Sequence, residues 1–341
     1  VDRFDLALRT SYAQAKELTL AQETVSLTTP GSFQFQTHRG TRFVYRYRYD
    51  IAGRRIGESL GPEGAPETAD KVRAAEAEIR DAQTLAHASR TLRAVGFYGA
   101  DNDALVTVTR LAAAGIFRGG CVLVGSHAFG AIMNDLGYRV PALRTEDVDV
   151  ARARRVEVAA LPEGGFLALL RETGLAFHEV PGLGRSAPAT SFKVRGRALT
   201  VDLLIPTKGV SYRPVKVPEL HAHATGLPFL DYLLEDPQPS VLLGRGRIVP
   251  VAVPHAGRFA LHKLAVHSLR SPADDAKRAK DLVQATALLE ALAEDADVLL
   301  DGAAEAMTKQ LRTKARSGAR RVLKALQRNT AAARVLEGIA A

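Results

Sequence analysis

Residues 121–150 read CVLVGSHAFGAIMNDLGYRVPALRTEDVDV, and the fold turns on how they are read. Cys121 to Val124 are four apolar residues in a row, the pattern of a short buried strand. Gly125-Ser126 breaks that strand, and His127 to Leu136 suits one short helix. A loop carrying Pro141 leads to Asp147-Val148-Asp149-Val150. Successive side chains of a strand point to opposite faces, so Asp147 and Asp149 share one. Two carboxylates side by side repel each other unless a cation lies between them, and hard oxygen ligands suit Mg²⁺. A Gly-Ser turn before a helix offers backbone N–H groups and a hydroxyl to a phosphate. A cation site beside a phosphate cradle supplies the parts of metal-assisted nucleotidyl transfer.

Downstream, Arg152, Arg154 and Arg155 form a basic patch. A helix is predicted over 163–173, ended by Gly174. Residues 176–180 and 191–194 read as short strands around the loop 181–188, PGLGRSAP. The run LTVDLLI, residues 199–205, is the next strand, and Asp202 is its only acid. An ionised carboxylate in so apolar a strand needs a partner or a metal, unless it sits at a solvent-facing edge. Residues 206–255 read as loops and short strands extending the sheet. His221 and His223 alternate there, but no Cys or acid at the usual spacing completes a zinc site. From Gly257 the chain reads as helical: 258–269, a polar break over 271–277, 278–292, and one or two helices over 305–336. The last stretch holds Lys309, Arg312, Lys314, Arg316, Arg320, Arg321, Lys324, Arg328 and Arg334. Such a tail suits a phosphate backbone and equally a solvated helical face.

Upstream, residues 1–29 are predicted as one helix, ended by Pro30-Gly31. Residues 33–60 alternate, with turns at His38-Arg39-Gly40 and Ala52-Gly53-Arg54, as a small antiparallel meander. Phe43, Tyr45, Tyr47 and Tyr49 share one face of its middle strand; Arg42, Val44, Arg46 and Arg48 share the other. The two rows fit a surface that stacks and neutralises RNA, with Arg42, Arg46 and Arg48 as its basic contacts. They fit equally a half-buried strand whose tyrosines pack on neighbouring helices and whose arginines are solvated. After the linker 61–66, residues 67–95 form a long helix with no internal Gly or Pro, tying this module to the core. A further helix, 102–114, leads into the Cys121 strand.

The chain has 341 residues, 46% apolar and 24% charged, enough for two or three domains of roughly 100–200 residues. The expected division is 1–95, helix–meander–helix; 96–255, a mixed α/β core; and 256–341, a helical bundle. The lone Cys121 in a buried strand excludes a disulfide framework and fits a reduced cytoplasm. No run of about 18 apolar residues offers a membrane span. The first residues are amphipathic and charged, without the apolar centre of a secretory signal. The net charge of +9 favours a polyanionic partner, RNA or a nucleoside triphosphate.

The Gly125-Ser126 turn, helix and Asp-x-Asp strand together resemble the DNA polymerase beta-like nucleotidyltransferase superfamily. The run Arg144, Thr145, Glu146, Asp147, Val148, Asp149, Val150 is similar to that of abortive-infection and toxin–antitoxin nucleotidyltransferase-like proteins. So are Lys263-Leu264, Arg270 and Lys280-Asp281-Leu282 further on, and the resemblance spans about residues 95–290. The histidine after Gly-Ser and the polar stretch 271–277 depart from the pattern. The resemblance implies an α/β (α+β) mixed-sheet core and a triad of Asp147, Asp149 and Asp202 holding two Mg²⁺ ions. It implies Gly125 and Ser126 around the β- and γ-phosphates and Lys263 on the triphosphate. Asp281 belongs to the same nucleotide-binding group, fixing Lys263 or a nearby base. The activity implied is transfer of a nucleoside monophosphate to RNA, such as a tRNA end, in toxin-like fashion with a cognate antitoxin. The alternatives are a protein hydroxyl as acceptor, or a non-catalytic nucleic-acid or partner-binding module. Retention of all three acids speaks against the last, and the basic surface against an aminoglycoside acceptor.

Overall fold

The computed structural model of the chain describes residues 1–141, 145–153, 155–157, 161–182, 187–209, 212–295, 297–326 and 330–341. Arg144, Arg154, Arg328 and residues 183–186 of the 181–188 loop lie outside them. The architecture is mixed α/β, as expected.

The chain opens with α1 (Leu6–Leu20), capped by the Asp5 carboxylate on the Leu8 amide. It is shorter than the predicted 1–29 helix. Arg118 donates to the carbonyls of Gln22 and Glu23, which ties the following segment to the core as turns. Three antiparallel strands follow: β1 (Ser32–His38), β2 (Thr41–Tyr49) and β3 (Arg55–Pro62), then α2 (Pro66–Ala94).

The meander shows its faces the other way round from the packing alternative. Val44 and Arg46 are the buried residues of β2, and Arg46 reaches Glu78 of α2 at 2.7 Å and the Pro30 carbonyl at 2.9 Å. The tyrosine row is the half-exposed one: Tyr45 stacks on Tyr47, and the Arg55 guanidinium lies 3.9 Å from the Tyr47 ring centroid. Alternation defines two faces but not which of them a helix will cover. Arg46 can lie inside because its long stem packs while its head finds a carboxylate. The three arginines expected to form a basic row are all spent within the module: Arg42 pairs with Glu63, Arg46 with Glu78 and Arg48 with Glu58.

After α3 (Asn102–Ala113) comes the core sheet, whose main path runs β4 (Cys121–Val124), β5 (Asp147–Arg152), β8 (Thr200–Thr207), β10 (Ala222–Pro228), β9 (Pro214–Val217). On the edge of β8 that carries β10, β7 (Ser191–Val194) also pairs, followed outward by β6 (Phe177–Val180). The connections run through α4 (Gly125–Leu136), α5 (Gly165–Arg171) and α6 (Leu230–Leu234). β5 and β8 are parallel, with Val148, Val150, Val201 and Leu203 buried on one face. The expectation that residues 206–255 extend the sheet holds for β9 and β10. β11 (Gln238–Gly244) and β12 (Arg247–Val253) instead form a separate hairpin. Its Val241, Leu243 and Ile248 share a second apolar core with Phe4 and Tyr12 of the N-terminal segment and Leu85 and Leu92 of α2.

The rest is helical: α7 (Ala256–Leu269), α8 (Asp275–Asp295), α9 (Asp297–Glu305), α10 (Lys309–Leu323) and α11 (Ala331–Ala340). Gly318 lets α10 cross α7 closely; a Cβ there would lie 2.7 Å from the Leu264 carbonyl. Among the described residues no helix is long and apolar enough to cross a membrane.

Candidate active site

The face of the β5–β8 pair opposite its valines carries the acids. Asp149 stands in register with Asp202 on the parallel neighbour, and Asp147 lies one step back along the same face, opposite Thr200. The three sequence-predicted carboxylates therefore meet on one side of the sheet. Ser191 on β7 stands opposite Asp202 in the antiparallel register. Burial pushes the Asp149 carboxyl up to about 6; Asp202 and Asp147 add to the rise, and Lys263 and Lys277 oppose it. Burial also raises Asp202, with Asp147 adding to it and Ser191 and Lys277 opposing. The lysines therefore offset burial and the mutual repulsion of these carboxylates only in part.

The Gly-Ser turn reaches this set because β4 pairs with β5, placing Val124 opposite Asp149. Gly125 follows with φ of 67°, in the left-handed region, and a Cβ on it would overlap the Asp149 carboxylate. Only glycine satisfies both conditions. Gly125→Ala is expected to cost about 1–3 kcal/mol through backbone strain and to displace Asp149. Thermal melts should show a lowered but cooperative transition, and any transfer activity should fall more than stability does. An unchanged melt and full activity would mean that the turn tolerates a side chain. Helix α4 starts at this glycine with no side-chain cap, leaving its first-turn N–H groups for another acceptor. Ser126 is fixed from the helical region: Gln284 of α8 donates to its hydroxyl at 3.2 Å. His127 turns into the core, where its Nδ1 lies 2.8 Å from the Tyr98 hydroxyl. Burial lowers its pKa to about 4, so it is neutral near pH 7.

Helices α7 and α8 bring cations to the acids. The Lys263 ammonium is 2.7 Å from Asp281, and the Arg270 guanidinium is 2.5 Å from its other oxygen. Burial alone would raise the Asp281 carboxyl, but Lys263 and Arg270 together carry it below its ordinary value. With a side chain 2% exposed and both oxygens engaged, Asp281 is bonded to Lys263, the first of the two partners expected for it, and to Arg270.

The polar break expected over 271–277 is shorter, because α8 starts at Asp275. Lys277 and Gln284, absent from the expected site, join Lys280 and Asp281 at helical spacing on one face of α8. Lys277 acts on Asp149 and Asp202, Lys280 is influenced by Asp147 and Asp149, and Gln284 holds Ser126. That three-four-seven spacing was readable in the chain. Arg42, Arg46 and Arg48 belong to the meander and its contacts with α2, and take no part in this cluster.

Among the described residues no three acidic, His or Cys side chains form a ready-made metal group. The chemistry of the donors nonetheless fits a hard divalent cation. They are all carboxylates, they face each other across β5–β8, and their mutual repulsion is what such a cation would relieve. Compared with known proteins, the chain matches a family model described as Nucleotidyltransferase over residues 103–309. No curated protein and no solved structure matches it.

Proposed function

The chain belongs to a nucleotidyltransferase family, and from that premise we propose that it moves a nucleoside monophosphate from a nucleoside triphosphate to a hydroxyl of RNA, with Mg²⁺. The observation that carries this reading is the meeting of Asp147, Asp149 and Asp202 with the open start of α4 and the lysines of α7 and α8. Asp147, Asp149 and Asp202 would hold the metal, which supplies charge neutralisation to the attacking and leaving oxygens. The α4 amides and the Ser126 hydroxyl receive the phosphates leaving as pyrophosphate. Lys263, held by Asp281, and Lys277 and Lys280 balance the charge of the triphosphate.

In the reaction the acceptor oxygen bonds to the α-phosphorus, the bond from that phosphorus to the pyrophosphate oxygen breaks, and the hydroxyl proton passes to Asp202. A carboxyl raised by burial and by Asp147 suits that task better than an ordinary exposed one. The choice of RNA rests on the excess of positive charge.

The test is incubation with each α-labelled nucleoside triphosphate, Mg²⁺ and either total RNA or lysate. Label should enter RNA with the wild-type chain. Label on a protein band alone would show the acceptor to be a protein hydroxyl. No transfer from any of the four triphosphates would sink the reading.

A further inference from the structure

The excess positive charge of this chain is not spread over its surface. Residues 306–336 hold nine Lys and Arg and no Asp or Glu. The other 310 residues therefore hold 37 basic and 37 acidic side chains, and the entire +9 lies in this one segment. Its central element is α10, which buries Leu311, Ala315, Gly318, Ala319 and Val322 against its neighbours. Lys309, Lys314, Arg316, Arg321 and Lys324 stand exposed on the other side.

None of these exposed cations is paired with a carboxylate among the described residues. Arg312 and Arg320 are spent on the backbone carbonyls of Ala304 and Ala340. The contrast with the meander is sharp, since Arg42, Arg46 and Arg48 each have a glutamate. A cation already neutralised within the protein releases little on meeting a phosphate. An unpaired one releases the counterion that drives polyanion binding.

Helix α10 packs on the helix that carries Lys263: Gly318 on its buried face lies against Leu264 of α7, and the cations stand on the outward side of the same helix. Towards its C-terminal end, Arg321 and Val322 share a groove with Leu282 and Val283 of α8, just past Lys280-Asp281. We propose that α10 is the surface on which the phosphodiester backbone of the acceptor RNA lies, a proposal that rests on the nucleotidyl-transfer-to-RNA reading. On the helix, Lys309 and Arg316, and Lys314 and Arg321, are each seven residues apart. They form two rows of cations about two turns long.

The chemistry of the face selects RNA over other anionic partners. Besides its cations the exposed side presents Gln310, Thr313 and Ser317. A helix that lies in a bilayer needs large apolar residues to insert, and this exposed side has none. A protein partner is anchored mainly by buried Trp, Tyr and Arg side chains; α10 contains no aromatic residue, and its rows of like charge match a repeating phosphodiester backbone.

The experiment measures binding of a fluorescent 20-nucleotide single-stranded RNA to the full chain across a range of KCl. It compares wild type, Lys309→Gln/Lys314→Gln/Arg316→Gln, and Arg42→Gln/Arg48→Gln. Glutamine keeps helix propensity close to that of lysine and arginine, and a melt on each variant checks folding. Each lost phosphate contact lowers the log–log salt slope by about 0.7 for a single strand. The α10 triple variant should therefore lose about 2 from the slope and bind on the order of 100-fold more weakly at 0.1 M salt than wild type. Its affinity for nucleoside triphosphate should be unchanged. The meander variant should match wild type in both.

An unchanged slope in the triple variant, or an equal loss in the meander variant, overturns the assignment of α10 while RNA as acceptor stands. Failure of the wild-type chain to bind the RNA, with label entering protein alone, overturns both.

Discussion

Asp149→Asn is expected to abolish transfer and at the same time to raise the melting temperature of the metal-free protein. The two effects have one origin. Asp149 is charged at pH 7 in a place where burial, then Asp202 and Asp147, penalise the charge and hold its pKa at about 6. A carboxyl raised by folding makes the folded state bind more protons than the unfolded one between the ordinary carboxylate value and about 6. Stability therefore falls as pH rises through that window and stays lost above it. The cost is at most about 3 kcal/mol at neutral pH, part of it offset by solvent on a half-buried side chain. Asparagine, nearly isosteric, removes the charge and the cost with it. Transfer should drop by about 10³-fold or more, the scale seen when a group stabilising transition-state charge is removed. Melts in EDTA at pH 5 and pH 7.5 should show the variant ahead by more at the higher pH. Added Mg²⁺ should raise wild type and leave the variant nearly unmoved, since only wild type offers the full donor set. A variant that melts below wild type in EDTA at pH 7.5, or transfers at a comparable rate with Mg²⁺ saturating, would show these acids to be structural.

The acid strand and Gly-Ser turn were legible because each is local. A period of two places Asp147 and Asp149 on one face, and an apolar run closed by Gly125-Ser126 marks a strand giving way to a helix. The pairing of Asp149 with Asp202 was legible only through a family resemblance, since the register of strands about fifty residues apart is set by tertiary packing. The start of α8 was misread because Ser271-Pro272 announces a loop; the loop is one short turn, and Asp275 already belongs to the helix. The long first helix was misread for the converse reason. Residues 21–29 contain no Gly or Pro, but Thr24, Val25, Ser26, Thr28 and Thr29 favour a helix weakly, and Arg118, almost a hundred residues away, holds the carbonyls of Gln22 and Glu23 outside it. The buried row of the meander could not be chosen from alternation, because the deciding residue, Glu78, lies on α2.

Asp281→Asn is expected to cost about 3–5 kcal/mol of folding stability, the range for breaking a buried ion pair from one side. Its carboxylate joins α7 to α8, with Lys263 at 2.7 Å and Arg270 at 2.5 Å, and 2% of the side chain reaches solvent. Asparagine keeps the volume but leaves two cations facing each other without the anion between them. Lys263 then loses the bond that holds it 5.4 Å from the Phe259 ring centroid, on the side of the acids. Affinity for nucleoside triphosphate should weaken along with stability. The pH dependence has the opposite sign to that of Asp149. Asp281 is held below its ordinary value, so its contribution is present above that value and lost as pH falls through the folded one. Urea denaturation of wild type and variant should therefore converge in acid and diverge towards neutrality. Replacing Asp281 and Lys263 by apolar groups, as in Asp281→Leu/Lys263→Met, should recover part of the stability, because it removes one of the two facing cations while Arg270, 30% exposed, can turn to solvent. It should recover none of the triphosphate affinity, because the ammonium is gone. If Asp281→Asn costs under about 1 kcal/mol and binds triphosphate as wild type does, then Asp281 does not position Lys263. Lys263, with Lys277, would then act on Asp149 without help from Asp281.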